Sequence, residues 1–357
     1  MAITTVAQVV PARVTIGVDT HKDVHVASAK NALGQKIANT QIPTTPTGYA
    51  GLLAWAHDLG EVDTFGVEGT GCYGAALARY LRAHGQRVIE VNRPDRAARR
   101  RHGKSDPVDA EAAARTVQAG EATGIPKAGT AGVEMIRALR VTRVGAVKAR
   151  TQASNTMKAL LVTAPADLRE QLRSLSTLKL VAAASTLDPG PMSSPTAAFV
   201  LALRCLADRH QALDAEITTL DRHLAQLTAV TAPDLIAVFG VGPETAGALL
   251  VAAGDNPDRL HSEAAFAMLC AAAPIEASSG KTVRHRLNRG GNRDANAALF
   301  RIVLVRLRYH QPTRDYMTRR TAEGRTKKEI IRCLKRYVAR EVFAVITETS
   351  QQPSRTA

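Results

Sequence analysis

Residues 13–43, RVTIGVDTHKDVHVASAKNALGQKIANTQIP, carry apolar side chains at alternate positions, a period typical of strands with one buried face. The pattern breaks at Asn31–Gly34, where a hairpin turn is predicted. Helical and extended patterns then alternate in TGYAGLLAWAHDLG, VDTFGVEGTG, GAALARYLRAHG and RVIEVN. The order strand, hairpin, helix, strand, helix, strand predicts an α/β domain with a mixed sheet.

The rest of the chain has helical patterns. Heptad-like spacing from about Val133 to Leu161 and from Ala197 to Val230 predicts two long helices. The segment APDLIAVFGVGPETAGALLVAAG predicts two helices around a Gly-Val-Gly turn. This is the shape of a helix-hairpin-helix whose turn amides can meet a phosphate, although a plain helical hairpin needs the same glycines. A mostly α C-terminal domain is therefore expected.

The charge of the chain indicates a polyanionic partner. It has 47 lysine and arginine residues against 32 aspartate and glutamate residues, a formal net charge of +15 at pH 7. Nucleic acid is the leading candidate and an anionic membrane surface the second. Only 4% of the residues are aromatic, which favours contact with the backbone of a duplex over stacking on single-stranded bases.

The sequence predicts a cytoplasmic protein. No apolar run is long enough to cross a bilayer, and residues 1–19 lack the charged region and cleavage site of a secretory signal. The cysteines Cys72, Cys205, Cys270 and Cys333 are far apart and share no metal-ligand spacing, so reduced thiols are expected.

Four acids are candidate metal ligands. Asp19 is placed in the middle of the first strand, where an ionised side chain is costly to bury without a partner. Glu68 ends the next internal strand, beside glycines that leave room for a phosphate backbone. Asp106 and Asp109 are also explained as the N-cap and first turn of a helix. Convergence of all four would instead give the oxygen ligands that Mg²⁺ needs for phosphodiester chemistry.

A serine pair is a candidate nucleophile. Ser278 and Ser279 precede Gly280 in PIEASSGKTVRHR, and the following basic residues can neutralise a bound phosphate. A turn serine beside glycine is the structural alternative. The residues themselves leave the choice between the two serines open.

Basic side chains are candidates for contact with nucleic acid. Those predicted to do so are Arg99, Arg100, Arg101, Lys104, Lys281, Arg284, Arg286, Arg289 and Arg293. The run RPDRAARRRHGK has a solvated face as its alternative, and the C-terminal helix KKEIIRCLKRYVAR is expected to contact backbones too. His21 and His25 are more typical of solvent-facing strand positions than of a zinc site.

Five motifs occur in a characteristic order: GVDTHK with Asp19, VEGTGCYG with Glu68, KSDPVDA with Asp106 and Asp109, FGVGPETAGALL, and AAPIEASSGKTVRHRLNRGGNRDANAAL. Together they resemble the DEDD transposases of insertion-sequence family 110. The resemblance implies a RuvC-like, RNase H-like domain over residues 12–128, a long-helix region for oligomer contacts over 129–230, and a transposase domain with the helix-hairpin-helix and serine motif over 231–347. Residues 348–357 are expected to be a disordered tail.

The same resemblance implies a mechanism. The four acids would bind Mg²⁺, and Ser279, directly before the glycine, would be the nucleophile that forms a phosphoserine intermediate. A structured bridge RNA would pair with donor and target DNA, and the protein would be a homo-oligomer, from dimer to tetramer, whose subunits share sites. Two alternatives remain: a RuvC-like, metal-dependent nuclease of the junction-resolvase type, in which Ser279 has no role, and a non-enzymatic nucleic-acid-binding protein, which does not need the acids.

Overall fold

A computed structural model describes residues 13–91, 105–256 and 259–351, and the chain divides into two compact units. The first unit runs to Gly129 and also includes Gly254–His261. The second consists of Thr130–Ala253 and the chain from Ser262 onward. The sequence did not predict that Gly254–His261 belongs to the first unit. The domain boundaries given in the sequence analysis stay predictions.

The first unit contains a mixed five-stranded sheet, as predicted. Its elements are β1 (Arg13–Thr20), β2 (Val24–Asn31), β3 (Lys36–Pro43), α1 (Pro46–Leu59), β4 (Glu61–Glu68), α2 (Ala75–Ala83), β5 (Val88–Val91) and α3 (Asp106–Gln118). The strand order is β3-β2-β1-β4-β5, with β2 antiparallel to both neighbours and β4 parallel to β1 and β5. The predicted turn is confirmed: the Gly34 amide donates to the Asn31 carbonyl, and Gly34 has a left-handed φ of 76°.

Strands β1 and β2 are buried on both faces, so the prediction of half-buried strands is wrong. Val14, Ile16 and Val18 project from β1 into a core that includes Leu52 of α1 and Leu77 of α2. The opposite face carries small and polar residues, so the sequence pattern does not show that this face is buried. Helix α3 covers that face.

Helix α3 packs closely against two glycines of the sheet, and at Gly17 the space excludes any side chain. A Cβ atom on Gly17 would lie 2.0 Å from the carbonyl oxygen of Ala110 and 2.3 Å from the amide nitrogen of Ala114. A Cβ atom on Gly66 of β4 would lie 3.1 Å from the carbonyl oxygen of Ala113. Backbone atoms cannot move aside as a flexible side chain does, so these positions fix the height of α3 above β1 and β4.

The second unit is mostly helical. Its elements are α4 (Gly132–Thr163), α5 (Ala166–Leu172), α6 (Thr177–Ser185), α7 (Pro195–Thr231), α8 (Pro233–Ala237), α9 (Pro243–Ala253), α10 (Glu263–Leu269), β6 (Ile275–Glu276), β7 (His285–Arg286), α11 (Arg293–Tyr309), α12 (Gln311–Ala322) and α13 (Lys327–Gln351). Helices α4 and α7 confirm the two predicted long helices. They run antiparallel, since Arg143 pairs with Asp221 and Arg150 with Asp214.

Two predictions for this unit have different outcomes. Helices α8 and α9 flank a turn in which Gly240 has a φ of 83°, but the role of this turn as a phosphate-binding helix-hairpin-helix stays a prediction. The prediction of a disordered tail from residue 348 is wrong for the first residues of that segment, because α13 continues to Gln351. The first helix-breaking residue in this stretch is Pro353, which explains why the helix persists so far. Among the helices that the structure describes, none has the length and apolarity of a membrane span.

Candidate active site

Two of the predicted acids lie at the carboxyl ends of adjacent parallel strands. Glu68 is the last residue of β4, as predicted, whereas Asp19 is the next-to-last residue of β1 and not in its middle. Val18 pairs with Val67, so Asp19 and Glu68 follow at neighbouring positions. The Thr20 hydroxyl also donates to the Glu68 carbonyl at 2.9 Å. The carboxyl edge of a sheet is a frequent location for ligand sites.

The other two acids lie in the first turn of α3. The helix begins at Asp106, and Ser105, with the extended φ of −147°, occupies the cap position. The predicted N-cap role of Asp106 is therefore wrong by one residue, because the backbone turns helical one position earlier. Asp109 is buried, with 2% of its surface exposed. Both carboxylates suit the positive end of the helix dipole.

Asp19, His21 and Asp106 form a compact group. His21 Nε2 lies 3.2 Å from Asp19 Oδ2 and 3.4 Å from Asp106 Oδ1. One potential ligand atom from each residue lies within 4.8 Å of the others. Asp109 is close enough to act on Asp19 electrostatically. Asp19, Asp106 and Asp109 thus come together, whereas Glu68 lies at the adjacent strand end and, like Asp109, is not one of the three residues of the compact group.

Burial is the main cause of an elevated pKa at Asp19. Desolvation raises the pKa of this carboxyl above its ordinary value, and the negative charges of Asp109 and Asp106 raise it further. His21 opposes the shift through its charge and its hydrogen bond. A bound cation would relieve the same repulsion. Carboxylate oxygens are the ligands that Mg²⁺ and Mn²⁺ prefer, so the donors fit a hard divalent cation.

The predicted solvent-facing position is confirmed for His21, which is exposed, and is wrong for His25. His21 is part of the acidic group, which sequence reasoning missed; the only signal is its position two residues after Asp19 at a strand end. His25 is fully buried and stacks on Tyr49 of α1. Because α1 and α3 cover opposite faces of the sheet, His21 and His25 do not form a shared metal site.

A buried ion pair holds α3 against β2. Lys30, only 3% exposed, donates from Nζ to Glu111 Oε1 at 3.0 Å. This hydrogen bond is the largest cause of a lowered pKa at Glu111, and Arg115 contributes a second one. The pair fixes α3 one turn beyond Asp106 and Asp109.

The candidate serines lie in a short β-hairpin. Ile275 pairs with Arg286 and Glu276 with His285, and Ser279 and Thr282 exchange backbone hydrogen bonds of 3.1 and 3.0 Å across the tip. Gly280 at the tip has a left-handed φ of 56°. The sequence predicted a loop here and missed the pairing, since two-residue strands leave no periodic pattern.

The two serine hydroxyls have different surroundings. Ser278 Oγ accepts a hydrogen bond from the Arg284 amide at 3.1 Å and donates to the Arg284 carbonyl at 3.4 Å. The exposed Ser279 side chain has no hydrogen bond to the residues that the structure describes. The hydroxyl of Ser278 therefore supports the hairpin, whereas that of Ser279 is available.

Exposed basic side chains surround this hairpin. Lys281, Arg284 and Arg286 lie on it, and Arg289 and Arg293 lie on the following loop and the start of α11. The Asn292 side chain caps α11 by accepting from the Ala295 amide at 2.9 Å. The predicted contacts Arg99, Arg100, Arg101 and Lys104 lie outside the described residues.

The raised pKa of Asp19 predicts that this carboxylate destabilises the metal-free protein. The folded state holds the proton more tightly than the unfolded state, so the stability from this group is present below about pH 4 and is lost as pH rises through the raised pKa. Asp19→Asn should therefore raise the melting temperature at pH 7 in EDTA. It should also reduce the stabilisation that Mg²⁺ gives the wild type.

Asp208→Asn, an exposed change on α7, is the matched control and should alter neither quantity. Differential scanning fluorimetry with and without 10 mM Mg²⁺, roughly the excess that saturates a weak site, measures both effects. A lower melting temperature for Asp19→Asn in EDTA, or an unchanged response to Mg²⁺, would contradict the assignment.

Comparisons with known proteins agree in both parts of the chain. The family model of the DEDD transposase of IS110 matches residues 16–164, which include all four acids. The model described as the transposase of the IS116/IS110/IS902 family matches residues 233–318, which include both serines.

The chain is also similar to the "Insertion element IS110 uncharacterized 43.6 kDa protein" of Streptomyces coelicolor, with 29% identity over 155 residues. This alignment covers 43% of the chain and 36% of the length of that relative. The two family matches together span about two thirds of the chain. On these matches, the chain belongs to the IS110 family of transposases.

Proposed function

We propose that the protein is the transposase of an insertion sequence, a site-specific recombinase that cuts and rejoins DNA strands. The observation that carries this proposal is the convergence of Asp19, Asp106 and Asp109 beside the strand end that carries Glu68, in a chain with a net charge of +15. The sheet order, with one antiparallel strand at β2, supports an RNase H-like, RuvC-like domain.

The acids are proposed to hold Mg²⁺. Asp19 and Asp106 offer oxygens within 4.8 Å of each other, and Asp109 and Glu68 are proposed to complete the ligand set. When bound, the cation supplies positive charge that neutralises the oxygens of a scissile phosphate. His21 lies between two of the carboxylates and is proposed to orient them.

Ser279 is proposed as the nucleophile. Its exposed hydroxyl lies at a hairpin tip beside Lys281, and the hydroxyl of Ser278 is occupied by the backbone of Arg284. In the proposed step, Ser279 Oγ bonds to phosphorus and gives up its proton. The bond from phosphorus to one sugar oxygen breaks, and that oxygen takes up a proton. Attack by the hydroxyl of an incoming strand on the phosphoserine reverses both changes.

The two serines provide a matched pair of variants for this step. Ser279→Ala should abolish the covalent protein–DNA adduct on donor DNA while keeping DNA binding, because only the attacking oxygen is lost. Ser278→Ala removes two hairpin hydrogen bonds and should reduce the adduct yield without abolishing it. Denaturing electrophoresis of protein with labelled DNA, followed by mass spectrometry, measures the adduct.

Cleavage by Ser279→Ala at the wild-type rate, with no adduct in the wild type, would overturn the serine mechanism. The metal-dependent nuclease of the junction-resolvase type would then be the better assignment. Full recombination by Asp106→Asn would instead remove the acids from the mechanism and favour a non-enzymatic binding protein.

A structured guide RNA is the proposed second partner, together with donor and target DNA and further copies of the chain. Family membership and the net charge of +15 support this partner. The long helices α4 and α7 and the serine hairpin present no exposed Phe, Tyr or Trp side chain that would read bases directly, so base pairing by an RNA is the better explanation of sequence recognition. Sequencing the RNA that co-purifies from the source without nuclease treatment should recover one discrete species encoded beside the gene. Recovery of only ribosomal and transfer RNA would contradict an RNA-guided mode.

A further inference from the structure

The second unit contains a cavity whose charged lining is entirely basic. It has a volume of about 390 Å³ and opens between the loop at residues 287–292, the first turn of α11 and one face of α13. Its charged lining residues are Arg289, Arg293, Arg332 and Lys335. A volume of this order accommodates a small ligand group.

None of these four cations forms an ion pair with a carboxylate among the residues that the structure describes, although the charge of Arg332 acts on Glu329, one turn earlier in α13. The adjacent Arg336 differs, because it pairs with Glu263, and Arg306 of α11 likewise pairs with Glu341. The cavity lining itself thus contains four cations and no carboxylate. Like charges held together raise the free energy of the folded protein unless an anion joins them.

Lys335 is held in a defined position inside the cavity. Its Nζ donates to Asn296 Oδ1 at 3.0 Å. The Asn296 amide in turn donates to the carbonyls of Cys270 and Ala271 at 2.9 and 3.0 Å, which directs its oxygen toward Lys335. Burial, and next the charge of Arg332, lowers the pKa of Lys335. Asn296 therefore fixes the ammonium group of Lys335 at the cavity wall.

The loop that forms one wall is fixed by the last residues of α10 and the turn that follows them. Asn288 Nδ2 donates to the Met268 carbonyl at 2.9 Å, and the Asn292 amide donates to the Leu269 carbonyl at 2.6 Å. A Cβ atom on Gly291 would lie 2.5 Å from the amide nitrogen of Ala271, so the loop packs tightly on this turn. The cavity is thus preformed and does not have to be ordered by a ligand.

We propose that this cavity binds one backbone phosphate of the DNA strand on which Ser279 acts; this rests on the proposed function and deepens it. The arginines offer paired N–H donors that match phosphate oxygens, and Lys335 adds a fixed charge. The N-terminus of α11 adds further positive potential.

The position of the cavity limits which phosphate it can hold. Leu287, at the cavity wall, follows Ser279 by eight residues. Eight residues span at most about 28 Å, which corresponds to about eight base-pair steps of a duplex. The cavity therefore anchors the strand close to the phosphate that Ser279 attacks and keeps it in register.

The test measures binding of the full chain to a fluorescent 30-bp duplex DNA, a length of about three helical turns, in EDTA. Lys335→Gln and Arg332→Gln should each weaken binding about fivefold or more at 0.15 M salt and lower the salt slope by about one. Asn296→Asp should weaken it similarly, because the new carboxylate neutralises Lys335. Arg314→Gln, an exposed change on α12 outside the cavity, is the matched control and should change binding less than about twofold.

Equal effects of the cavity variants and Arg314→Gln would overturn the proposal, and so would losses confined to a duplex RNA of the same length. Arg332 is exposed, so its variant is expected to fold even if Lys335→Gln does not. Repeating the series in Ser279→Ala separates this proposal from the serine mechanism. The expected losses of DNA binding do not require cleavage, so they should persist in Ser279→Ala. If the cavity variants bind DNA normally, only the cavity proposal fails, and the adduct experiment still tests Ser279.

Discussion

The close contact between α3 and the sheet is the constraint on which the candidate metal centre depends. Gly17 presents bare backbone to Ala110 and Ala114, so α3 approaches to a distance that a side chain on Gly17 would prevent, and Gly66 allows a similarly close approach to Ala113. At that height, the first turn of α3 lies beside the carboxyl end of β1. The Lys30–Glu111 pair prevents the helix from shifting along the sheet. Small residues that carry no reactive group thus determine where the acids lie.

Both candidate sites carry an electrostatic imbalance that a ligand would correct. In the first unit, the buried carboxylates of Asp19 and Asp109 lie near the more exposed Asp106, with a single histidine among them. In the second, four cations share a cavity lined by no carboxylate. The pKa of Asp19 is raised and that of Lys335 is lowered, each mainly by burial, so the charged form of both groups is disfavoured in the protein alone. Such shifts are typical of functional positions. A divalent cation and a phosphate are the ligands of opposite charge that phosphodiester chemistry brings together.

Local patterns allowed much of this fold to be predicted from the sequence, because strand and helix periods depend on neighbouring residues. The mixed sheet, both long helices and the position of Glu68 at a strand end are examples. The burial of both faces of β1, the role of His21 and the hairpin that carries Ser279 were not predicted. These features depend on residues distant in sequence: α3 covers β1 from about 90 positions away, and each strand of the serine hairpin has only two residues.

The most direct test of the α3 contact is Mn²⁺ binding, measured by calorimetry on the full chain with all four acids intact. Gly17→Ala should weaken Mn²⁺ binding at least about tenfold and lower the free energy of unfolding by about 1–3 kcal/mol, as overpacking does. Gly66→Ala, whose nearest obstacle is the movable side chain of Val117, should cause smaller losses. Gly51→Ala meets open space on α1 and should leave Mn²⁺ binding unchanged. Wild-type affinity for Mn²⁺ in a folded Gly17→Ala protein would contradict the account.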